Sequence, residues 1–599
     1  MLTVQEPEIQ EKEIPQQEYD VVIMGAGFAG VCQARHLMLK IPNIRVAMVD
    51  PRPEDRTDKD LKIGESTIEI ATMFICKELG LYEYIIENHP PKYGLNFHWP
   101  KDTTTTEGID DYYHIWANRQ PPMASTQMNR AKFERDLIAM NKKMGATYYK
   151  GRVADVDITP GDAIKTVHVK LGSDSINLKA KHIIDAAGRK FIIGKKTDNV
   201  TFDPSDLFGV NSGSVWVRIN NVDRTLFHDG YDPTAGTCSH YYGTNHFFGH
   251  GHWLWMIPTE IDSKELSIGV IYHRSVISDD QMNTKEKFCA FLKANHQLLY
   301  KLVSSSEGID FHYRPQVAHM SKTLFSEDNW YVVGDAAYIF DAFYSTGTTM
   351  ASLAIEGVTE IIRAKLANKA DAETKRTAYN DFNIAFAKNI NQLIYDHWKQ
   401  LGNASVMSWR IYFDYMFWFG VLLPMYIGKW HLDLTFIKGF VAFTKSSINS
   451  GNGFNKHVYD LFTEVIKKGN NIGLMDCYRA DQLIFGYHTP KHFDDFLENA
   501  KYETARCNVF AGMKNTFFFQ AVWYTMFRWK AFGILGVLAP KYFYYTVERL
   551  MRSANAAIAE MVYKYQISKV PVNTKVEEMR QEFNATYQYR AELQPWSKA

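Results

Sequence analysis

The chain has 599 residues, of which 46 % are hydrophobic, 22 % are charged and 14 % are aromatic. This length exceeds what one hydrophobic core usually supports, so we expect several structural units with ample core material. Basic and acidic residues balance at 67 each, which argues against nucleic acid or an anionic membrane as the main partner.

The N-terminal end and the cysteines both favour a cytoplasmic chain. Residues 1–18 are polar and acidic with two prolines, so we expect a disordered tail and the start of structure at Tyr19. The N-terminus has no positively charged segment followed by an apolar run, which is the pattern of a secretion signal. The six cysteines lack CxxC or other metal-ligand spacing, which predicts reduced thiols and no structural metal.

A glycine-rich turn follows the first predicted strand. The stretch YDVVIM predicts a buried parallel strand, GAGFAG a turn that holds Phe28 and Ala29, and VCQARHLMLK a helix. In such a turn Gly25 permits the tight bend, Gly27 lets the backbone approach a pyrophosphate, and Gly30 lets helix and strand pack closely. The helix N-terminus then faces the phosphates.

A second strand supports this interpretation. RVAMVD ends at Asp50, twenty residues after Gly30, where a carboxylate can accept the hydroxyls of an adenosine ribose. The pattern predicts a dinucleotide site; a purely structural glycine turn is the alternative.

Two later stretches favour a flavin dinucleotide. IIDAAGR (183–189) reads as a strand and turn, and NWYVVGDAAYIFDAFYSTGTTMASLAIEG (329–357) as strand, turn and long helix. Asp335 can hold the ribityl or pyrophosphate part of a flavin, and a helix starting near Thr346 can direct its N-terminus at the flavin ring.

The order of these motifs resembles a known superfamily. GAGFAG, STQMNRAKFERDL (125–137) and GDAA resemble FAD-dependent enzymes of the aromatic hydroxylase superfamily, which implies that Arg130 contacts the cofactor. A solvated helix charge is the alternative for Arg130. WLWMIP fits the WxWxIP pattern of flavin-dependent halogenases. The resemblance covers about residues 19–360 and implies reduced FAD, O2 and a chloride or bromide ion.

The WLWMIP stretch has its own physical reading. On a strand, Trp253 and Trp255 project to the same face, and Pro258 ends the strand. The resemblance implies that the two rings form a wall beside the flavin and keep the organic substrate away from it. Filling of a core sheet is the alternative.

A lysine segment also resembles the halogenases. PPKYGLNFHW (90–99) is similar to the segment that carries the family's catalytic lysine, which implies that Lys92 acts on hypohalous acid. Its ammonium can donate hydrogen bonds to the acid, or its free amine can form a haloamine; burial would make the amine accessible. An ordinary surface lysine is the alternative.

Two further segments match the family. FYSTG (343–347) resembles the halide-binding segment, which implies halide contacts from the amides of Thr346 and Gly347 and a Ser345 hydroxyl near Lys92. Capping of the helix by Ser345 or Thr346 is compatible with this role. GESTIEIATMF (64–74) resembles a strap over the flavin. This strap consists of Gly64, Glu65, Ser66 and Thr67, and Glu65 has capping as its alternative role.

Two departures from the family pattern carry information. Tyr344 stands where tryptophan halogenases have a glutamate. An acid there is less needed if the substrate is a phenol, pyrrole or activated indole, whose heteroatom pushes electrons into the ring. Ala342 stands where a proline often follows the aspartate, here Asp341, so we expect a looser turn.

The sequence also suggests partners. There is no second GxGxxG, and DAAGRKF lacks the signature of nicotinamide-linked hydroxylases, so we expect a separate flavin reductase. Aromatic clusters at 410–430 and 515–540 favour a roof over a hydrophobic substrate; a peripheral membrane contact or a carrier-protein dock is the alternative. The uncharged run 415–427 is too short for a transmembrane segment.

Together these patterns predict an α/β flavoprotein. We expect a doubly wound GxGxxG FAD-binding domain within 19–360, a β-rich substrate-domain insertion at about 90–120 and 200–325, and a mainly helical C-terminal region at 361–599. The expected function is halogenation of a small aromatic substrate, free or carrier-tethered, in secondary metabolite biosynthesis. The alternatives are an FAD-dependent monooxygenase or epoxidase, a redox-neutral flavin isomerase or cyclase, and a non-catalytic flavin-binding adaptor.

Overall fold

The computed structural model describes residues 16–57, 62–92, 94–116, 125–227, 240–260, 264–449, 453–475 and 509–567. The strands in this part of the chain are β1 (Gln16–Met24), β2 (Val46–Asp50), β3 (Leu95–Pro100), β4 (Tyr112–Trp116), β5 (Thr147–Lys150), β6 (Arg152–Asp157), β7 (Lys165–Leu171), β8 (Asp174–Asp185), β9 (Val200–Thr201), β10 (Ser212–Asn220), β11 (Thr244–Gly249), β12 (His252–Pro258), β13 (Leu266–His273), β14 (Glu307–Arg314), β15 (His319–Ser321), β16 (Trp330–Val332) and β17 (Tyr338–Ile339).

The α-helices are α1 (Phe28–Lys40), α2 (Glu69–Met73), α3 (Tyr82–Asn88), α4 (Arg130–Lys143), α5 (Ile192–Lys196), α6 (Lys285–Asn295), α7 (Gln297–Ser305), α8 (Gly347–Leu366), α9 (Ala372–Leu393), α10 (Ala404–Phe417), α11 (Leu423–Ile427), α12 (Leu434–Asn449), α13 (Phe454–Lys467), α14 (Val509–Leu538) and α15 (Pro540–Ile567). Two π-helical turns span Phe74–Glu78 and Trp418–Leu422.

The first sheet has the strand order β5-β2-β1-β8-β7-β6, with β16 also paired to β8. Strands β5, β2, β1, β8 and β16 are parallel, whereas β7 and β6 are antiparallel. Residues 21–24 of β1 and all of β2 are buried, because α1 packs on both strands while α4 packs on β5 and α8 packs on α1. The carboxyl ends of the parallel strands share one edge, where such sheets form their ligand crevice.

The second sheet has the order β14-β10-β13-β12-β11-β3-β4 and is antiparallel except for the pair of β11 and β3. Its strands come from residues 95–116 and 212–314. Side chains alternate between the two faces of β12. Trp253 and Trp255 join the main core, whereas Leu254 and Met256 belong to a second core with α6 and α7.

After α8, every regular element in the described part of the chain is a helix. Helices α10, α13 and α14 form a third apolar core, and the main core continues into the second π-helical turn and α11. Helix α14 is kinked at Gly533, where φ is 68°. Among the described residues, no helix combines the length and apolar character needed to cross a bilayer.

Strand β1 begins earlier than the sequence predicts. Residues 16–18 pair with 177–179 of β8, so they belong to the sheet and not to a disordered tail. The polar composition of QQE led to the prediction of a disordered tail. These residues nevertheless form a strand, because the twelve-residue β8 offers backbone partners along its whole length. Residues 1–15 of the expected tail lie outside the described residues.

Candidate active site

A cavity of about 280 Å³ opens at the carboxyl edge of the parallel sheet. The residues singled out from the sequence that line it are Gly25, Gly27, Phe28, Ala29, Asp50, Gly64, Glu65, Ser66, Arg130, Trp253, Trp255, Asp335, Asp341, Ala342, Ser345, Thr346 and Gly347. The fold therefore brings together segments that are up to 322 positions apart (25 to 347). We refer to this space as the dinucleotide cavity.

The three glycines of the first turn have separate reasons to lack a side chain. A Cβ on Gly25, whose φ is 105°, would lie 2.5 Å from the Ala186 carbonyl oxygen. A Cβ on Gly30 would lie 2.0 Å from the Gly25 carbonyl oxygen, which explains the close contact of α1 with β1. A Cβ on Gly27 would meet only the Glu134 carboxylate, at 3.7 Å, within 4 Å. Gly27 thus leaves open the space that a pyrophosphate needs.

A buried carboxylate that sequence reasoning missed organises this end of the cavity. Glu134 Oε1 accepts hydrogen bonds from the Phe28 amide at 3.0 Å and Arg130 Nη2 at 2.8 Å. Its Oε2 accepts from Arg52 and Arg56, both at 3.2 Å. Burial would raise the pKa of Glu134, but the arginine charges, Arg130 first, hold it below its usual range. The sequence feature that could have indicated this ion pair is the i, i+4 spacing of Arg130 and Glu134 on α4.

Asp50 lines the cavity and is held as an anion. Its Oδ2 accepts from the Ala26 amide at 2.8 Å, and its Oδ1 from Arg52 Nε at 2.9 Å. Burial opposes ionisation, but the hydrogen bond and charge of Arg52 lower the pKa of Asp50 to about 2. Any ribose hydroxyl that it binds must share the carboxylate with Arg52. Sequence reasoning also missed other lining residues, namely Arg52, Lys62, Trp216 and Arg314.

The strap of residues 64–67 crosses from α4 toward the second sheet. Arg130 Nη1 donates to the Gly64 carbonyl at 3.1 Å, and its guanidinium lies 5.0 Å from the centre of the Phe28 ring. Glu65 accepts from the Gly64 amide at 2.8 Å and pairs with Arg218 at 3.4 Å. Thr67 does not line the cavity, because its hydroxyl donates to the Thr126 carbonyl at 2.8 Å.

The two tryptophans of β12 are fixed at the wall of the dinucleotide cavity. Their ring centroids are 5.9 Å apart. Trp253 Nε1 donates to Asp341 Oδ1 at 3.1 Å, and Trp255 Nε1 donates to Ser267 Oγ at 3.0 Å. Gly269 on β13 lies opposite Trp255 and makes room for its ring, since a Cβ there would lie 2.1 Å from it. Pro258 is the last residue of β12 and does not line the cavity.

A second cavity lies beside Lys92, and we call it the lysine cavity. Its lining residues are Ile68, Glu69, Lys92, Gly94, Leu95, Ser125, Tyr344, Thr346, Leu393, Asp414, Tyr415, Trp418 and Phe419. Thr346 lines both cavities. The far wall therefore comes from α9, α10 and the second π-helical turn, a local helix geometry that often marks functional sites.

Lys92 is buried and connected to the strap. Its Nζ donates to Ser66 Oγ and to the Thr67 carbonyl, both at 2.8 Å. Ser345 Oγ donates to Ser66 Oγ at 3.2 Å, so Ser66 stands between the serine and the lysine that the sequence places side by side. Burial lowers the pKa of Lys92 to about 7, although the Glu69 carboxylate opposes the shift. Both the ammonium and the free amine are thus accessible near neutral pH.

The expected halide segment forms the N-terminus of α8. Ser345 has a φ of 55°, Thr346 is the N-cap, and the helix runs for twenty residues from Gly347. The first amides of a helix have no partner within the helix and attract anions. Asp341 Oδ1 accepts from the Phe343 amide at 3.0 Å, and the Ser345 amide donates to the Ala342 carbonyl at 2.9 Å. These bonds close the turn without a proline.

The lysine cavity also contains a carboxylate, Asp414, that the sequence did not indicate. Tyr344 Oη donates to Asp414 Oδ2 at 2.7 Å. Asp414 lies beyond the segment that carries the motifs, among aromatic residues whose pattern indicates packing, so the sequence gives no sign of it. Among the described residues, no group of three or more histidine, cysteine, aspartate or glutamate side chains is placed to hold a metal.

Sequence comparison identifies one relative of nearly the whole chain and further relatives of parts of it. A protein of Dictyostelium discoideum named flavin-dependent halogenase chlA is 40 % identical over 592 residues, which cover 95 % of this chain and 97 % of that protein. A family model described as tryptophan halogenase matches residues 118–412. A 1H-pyrrole-2-carbonyl-(peptidyl-carrier protein) chlorinase of Pseudomonas fluorescens is 27 % identical over 56 % of this chain and 73 % of its own length.

Solved structures share the fold. A variant of the halogenase PltM in complex with FAD has a TM-score of 0.56 and 14 % identity over 96 % of each chain. The myxobacterial chondrochloren halogenase CndH has a TM-score of 0.52 and 18 % identity over 63 % of this chain and 83 % of its own. The predicted fold class, an FAD-binding α/β protein with a helical C-terminal region, is confirmed, as are the FAD cofactor and the enzyme class. Because the similarity to chlA extends over nearly the whole length, the chain belongs to the flavin-dependent halogenases.

Proposed function

We propose that this enzyme halogenates an electron-rich aromatic ring of the phenol, indole or pyrrole type, with Lys92 guiding hypohalous acid to the ring. One observation carries the proposal. Lys92 lines a cavity with apolar walls, and its Nζ is bonded to Ser66, which lines the dinucleotide cavity. A group in this position can receive an oxidant from one cavity and present it in the other.

The residues around the dinucleotide cavity fit FAD. Gly27 leaves room for the pyrophosphate, and the arginines around Glu134 supply positive charge beside it. Asp50 would hold the ribose, and Asp335 the ribityl or pyrophosphate part. Trp253 and Trp255 would lie beside the flavin ring. Bound reduced FAD supplies, with O2, the two-electron oxidation that converts a halide ion to hypohalous acid.

The amides of Thr346 and Gly347 would hold the halide. They lie at the positive end of α8 and line the dinucleotide cavity. Thr346 also lines the lysine cavity, so the oxidant has a short path to Lys92. There the ammonium form donates a hydrogen bond to hypohalous acid, or the amine form is halogenated. A pKa of about 7 makes both forms available.

A panel assay tests this function. The enzyme receives reduced FAD, O2 and bromide with phenols, indoles, free pyrroles and a pyrrole-2-carboxyl group on a carrier protein. The carrier arm is motivated by the chlorinase of Pseudomonas fluorescens. We expect a product with the paired isotope pattern of bromine. A gain of one oxygen would indicate a monooxygenase, and turnover without O2 consumption an isomerase.

We further infer that a separate reductase supplies the reduced flavin, because the sequence lacks a second dinucleotide motif. NADPH alone should then give no turnover, and adding a flavin reductase should restore it. Sustained NADPH oxidation by the isolated chain would contradict this arrangement. We also propose action in the cytoplasm, because the spacing of the six cysteines indicates neither a disulfide framework nor a metal site.

A further inference from the structure

The lysine cavity contains a buried carboxylate to which the halogenation mechanism above assigns no role. Asp414 belongs to α10, is 4 % exposed and lines the same cavity as Lys92. Burying an ionised carboxylate costs several kcal/mol unless neighbours donate hydrogen bonds to it. The identity and position of those neighbours indicate what Asp414 does.

Two tyrosine hydroxyls donate hydrogen bonds to the two carboxylate oxygens of Asp414. Tyr344 Oη donates to Oδ2 and Tyr459 Oη donates to Oδ1, both at 2.7 Å. Arg410 Nε is 4.0 Å from Oδ2, and the Arg410 Nη atoms donate to Gln400 and to two backbone carbonyls. Tyr344 also lines the lysine cavity, whereas Tyr459 belongs to the core of the helical region. Tyr344 therefore bonds directly to the carboxylate in the cavity that both residues line.

The hydroxyl of Tyr344 can receive one kind of ligand group. Its proton is directed at Asp414, so the oxygen lone pairs are what it offers to a molecule in the cavity. A ring bound beside Lys92 can satisfy them with a hydrogen-bond donor. We propose that Tyr344 and Asp414 form a proton relay that binds the hydroxyl of a phenol and accepts its proton, which makes phenols the substrate class of this enzyme.

This inference rests on the proposed function, since hypohalous acid is the oxidant. As the ring carbon attacks the halogen, a carbon–halogen bond forms and the halogen–oxygen bond breaks. The leaving hydroxide takes a proton from the Lys92 ammonium and becomes water. The phenolic proton passes to the Tyr344 oxygen while the Tyr344 proton passes to Asp414, so that the phenolic oxygen feeds an electron pair into the ring.

The remaining protons then return to their sources. The halogenated carbon loses its proton to the Lys92 amine, and the ring regains aromaticity. Asp414 returns its proton through Tyr344 to the substrate oxygen. The sum is a phenol plus hypohalous acid giving a halophenol plus water, and both side chains recover their starting protonation.

The acidities of the groups suit this transfer. Burial, and then the charge and hydrogen bond of Asp414, raise the pKa of Tyr344 above its usual range. Tyr344 therefore gives up its proton to Asp414 only as it receives the phenolic proton, and it carries no charge itself. Burial raises the pKa of Asp414 to about 6, opposed by the charge of Arg410 and the two tyrosine hydrogen bonds. This shift narrows the difference between the pKa of Asp414 and that of a phenol. The N–H of a pyrrole or indole is a far weaker acid and can donate a hydrogen bond without giving up its proton.

A matched pair of variants tests the relay. Tyr344→Phe and Tyr459→Phe each remove one 2.7 Å hydrogen bond to Asp414, and each keeps the aromatic ring. Each variant is loaded with FAD and assayed with reduced FAD and bromide. The substrates are the phenol that wild-type enzyme brominates best in the panel and its methyl ether, which lacks the O–H. The quantity compared is the ratio of kcat/KM for the phenol to that for the ether.

We expect Tyr344→Phe to lower this ratio at least ten-fold, and Tyr459→Phe to lower it much less. Similar ratios in the two variants would overturn the relay and leave Asp414 as a structural node. If no variant accepts the ether, the phenol kcat/KM of the two variants is compared directly, with the same criterion. Bromination of pyrroles or indoles but of no phenol would overturn the inference while the proposed function stands. Absence of any brominated product would instead contradict the proposed function.

A pH profile adds a measurement that a structural role would not change. The charged and titratable groups around Asp414 are Arg410, Tyr344 and Tyr459, and those that share its cavity are Lys92, Glu69 and Tyr415. Asp414 accepts a proton only when ionised, so phenol turnover in wild-type enzyme should fall as the pH drops through about 6. Asp414→Asn should lose this acid limb along with most phenol turnover. Retention of the limb in folded Asp414→Asn would assign it to another group.

Discussion

The two cavities differ in where their walls come from. The dinucleotide cavity is lined entirely by residues between Gly25 and Ala351, among them turn glycines and nine charged side chains. The lysine cavity shares Thr346 with it but takes its opposite wall from residues 393–419. In the proposed mechanism, the halogenating agent arises in the dinucleotide cavity, whereas the organic substrate is chosen in the lysine cavity, which includes the helical region after α8. The two cavities can therefore be disturbed separately.

The largest expected effect is the loss of halogenation when Lys92 is replaced. Lys92→Met should lower halogenation by about 10² to 10⁴-fold, the usual range for loss of a positioned acid or base, while FAD binding and reoxidation of reduced flavin continue. Product formation and flavin absorbance are measured in parallel. Lys165→Met is the control, because Lys165 is buried and donates to the carbonyls of Thr159 and Asp162 away from both cavities. A folded Lys92→Met protein that no longer reoxidises flavin would place Lys92 in the cofactor site.

The next effect is confined to the dinucleotide cavity. Gly27→Ala should weaken FAD binding at least ten-fold with little change in the melting temperature of the FAD-free protein, because the added Cβ meets only one atom within 4 Å, at 3.7 Å. Titration with FAD and thermal melting check this. Gly30→Ala is the contrasting variant: its Cβ would lie 2.0 Å from a carbonyl oxygen, so we expect loss of folding. Wild-type FAD affinity in Gly27→Ala would show that the pyrophosphate does not approach this turn.

A smaller effect concerns the wall of the dinucleotide cavity. Trp253→Ala and Trp255→Ala should yield less halogenated product per flavin oxidised and more hydrogen peroxide, because the intermediate becomes exposed to water. Truncating a buried tryptophan also costs about 3 to 5 kcal/mol of stability, so only variants that bind FAD and melt cooperatively are informative. Trp253→Phe is a milder control that keeps a ring but loses the bond to Asp341. Unchanged coupling in folded alanine variants would mean that both rings serve as core packing.

The smallest expected effect is a change in the pH dependence of folding stability, caused by the buried Lys92 in the lysine cavity. Burial lowers the pKa of Lys92 from 10.5 to about 7, so between these values the unfolded chain binds more protons than the folded one. The penalty on folding is complete below pH 7 and disappears as the pH rises toward 10.5. The melting temperature of Lys92→Met relative to wild type should therefore be higher at pH 6 than at pH 10, by a few degrees. Parallel melting curves across this range would indicate an unshifted lysine.

The sequence predicted best what the backbone itself requires. The roles of Gly25, Gly27 and Gly30 follow from close approaches that a Cβ would block or leave open, and the strand, turn and helix around them are local. The place of Ser66 between Ser345 and Lys92, and the pairing of Tyr344 with Asp414, arise only when segments up to 279 positions apart meet. Such contacts leave no periodicity or spacing in the sequence, so Asp414 looked like one polar residue in an aromatic helix.

The second π-helical turn has a consequence for how this enzyme can be altered. A π-turn accommodates one more residue than an α-turn, so the chain on its two sides is rotated by about 100° relative to an uninterrupted α-helix. Trp418 and Phe419, which face the lysine cavity, belong to this turn. Deleting one residue here would rotate new side chains toward the lysine cavity without any substitution. In an evolving lineage, a change of length within α10 and this turn can therefore remodel the lysine cavity while the lining of the dinucleotide cavity stays the same.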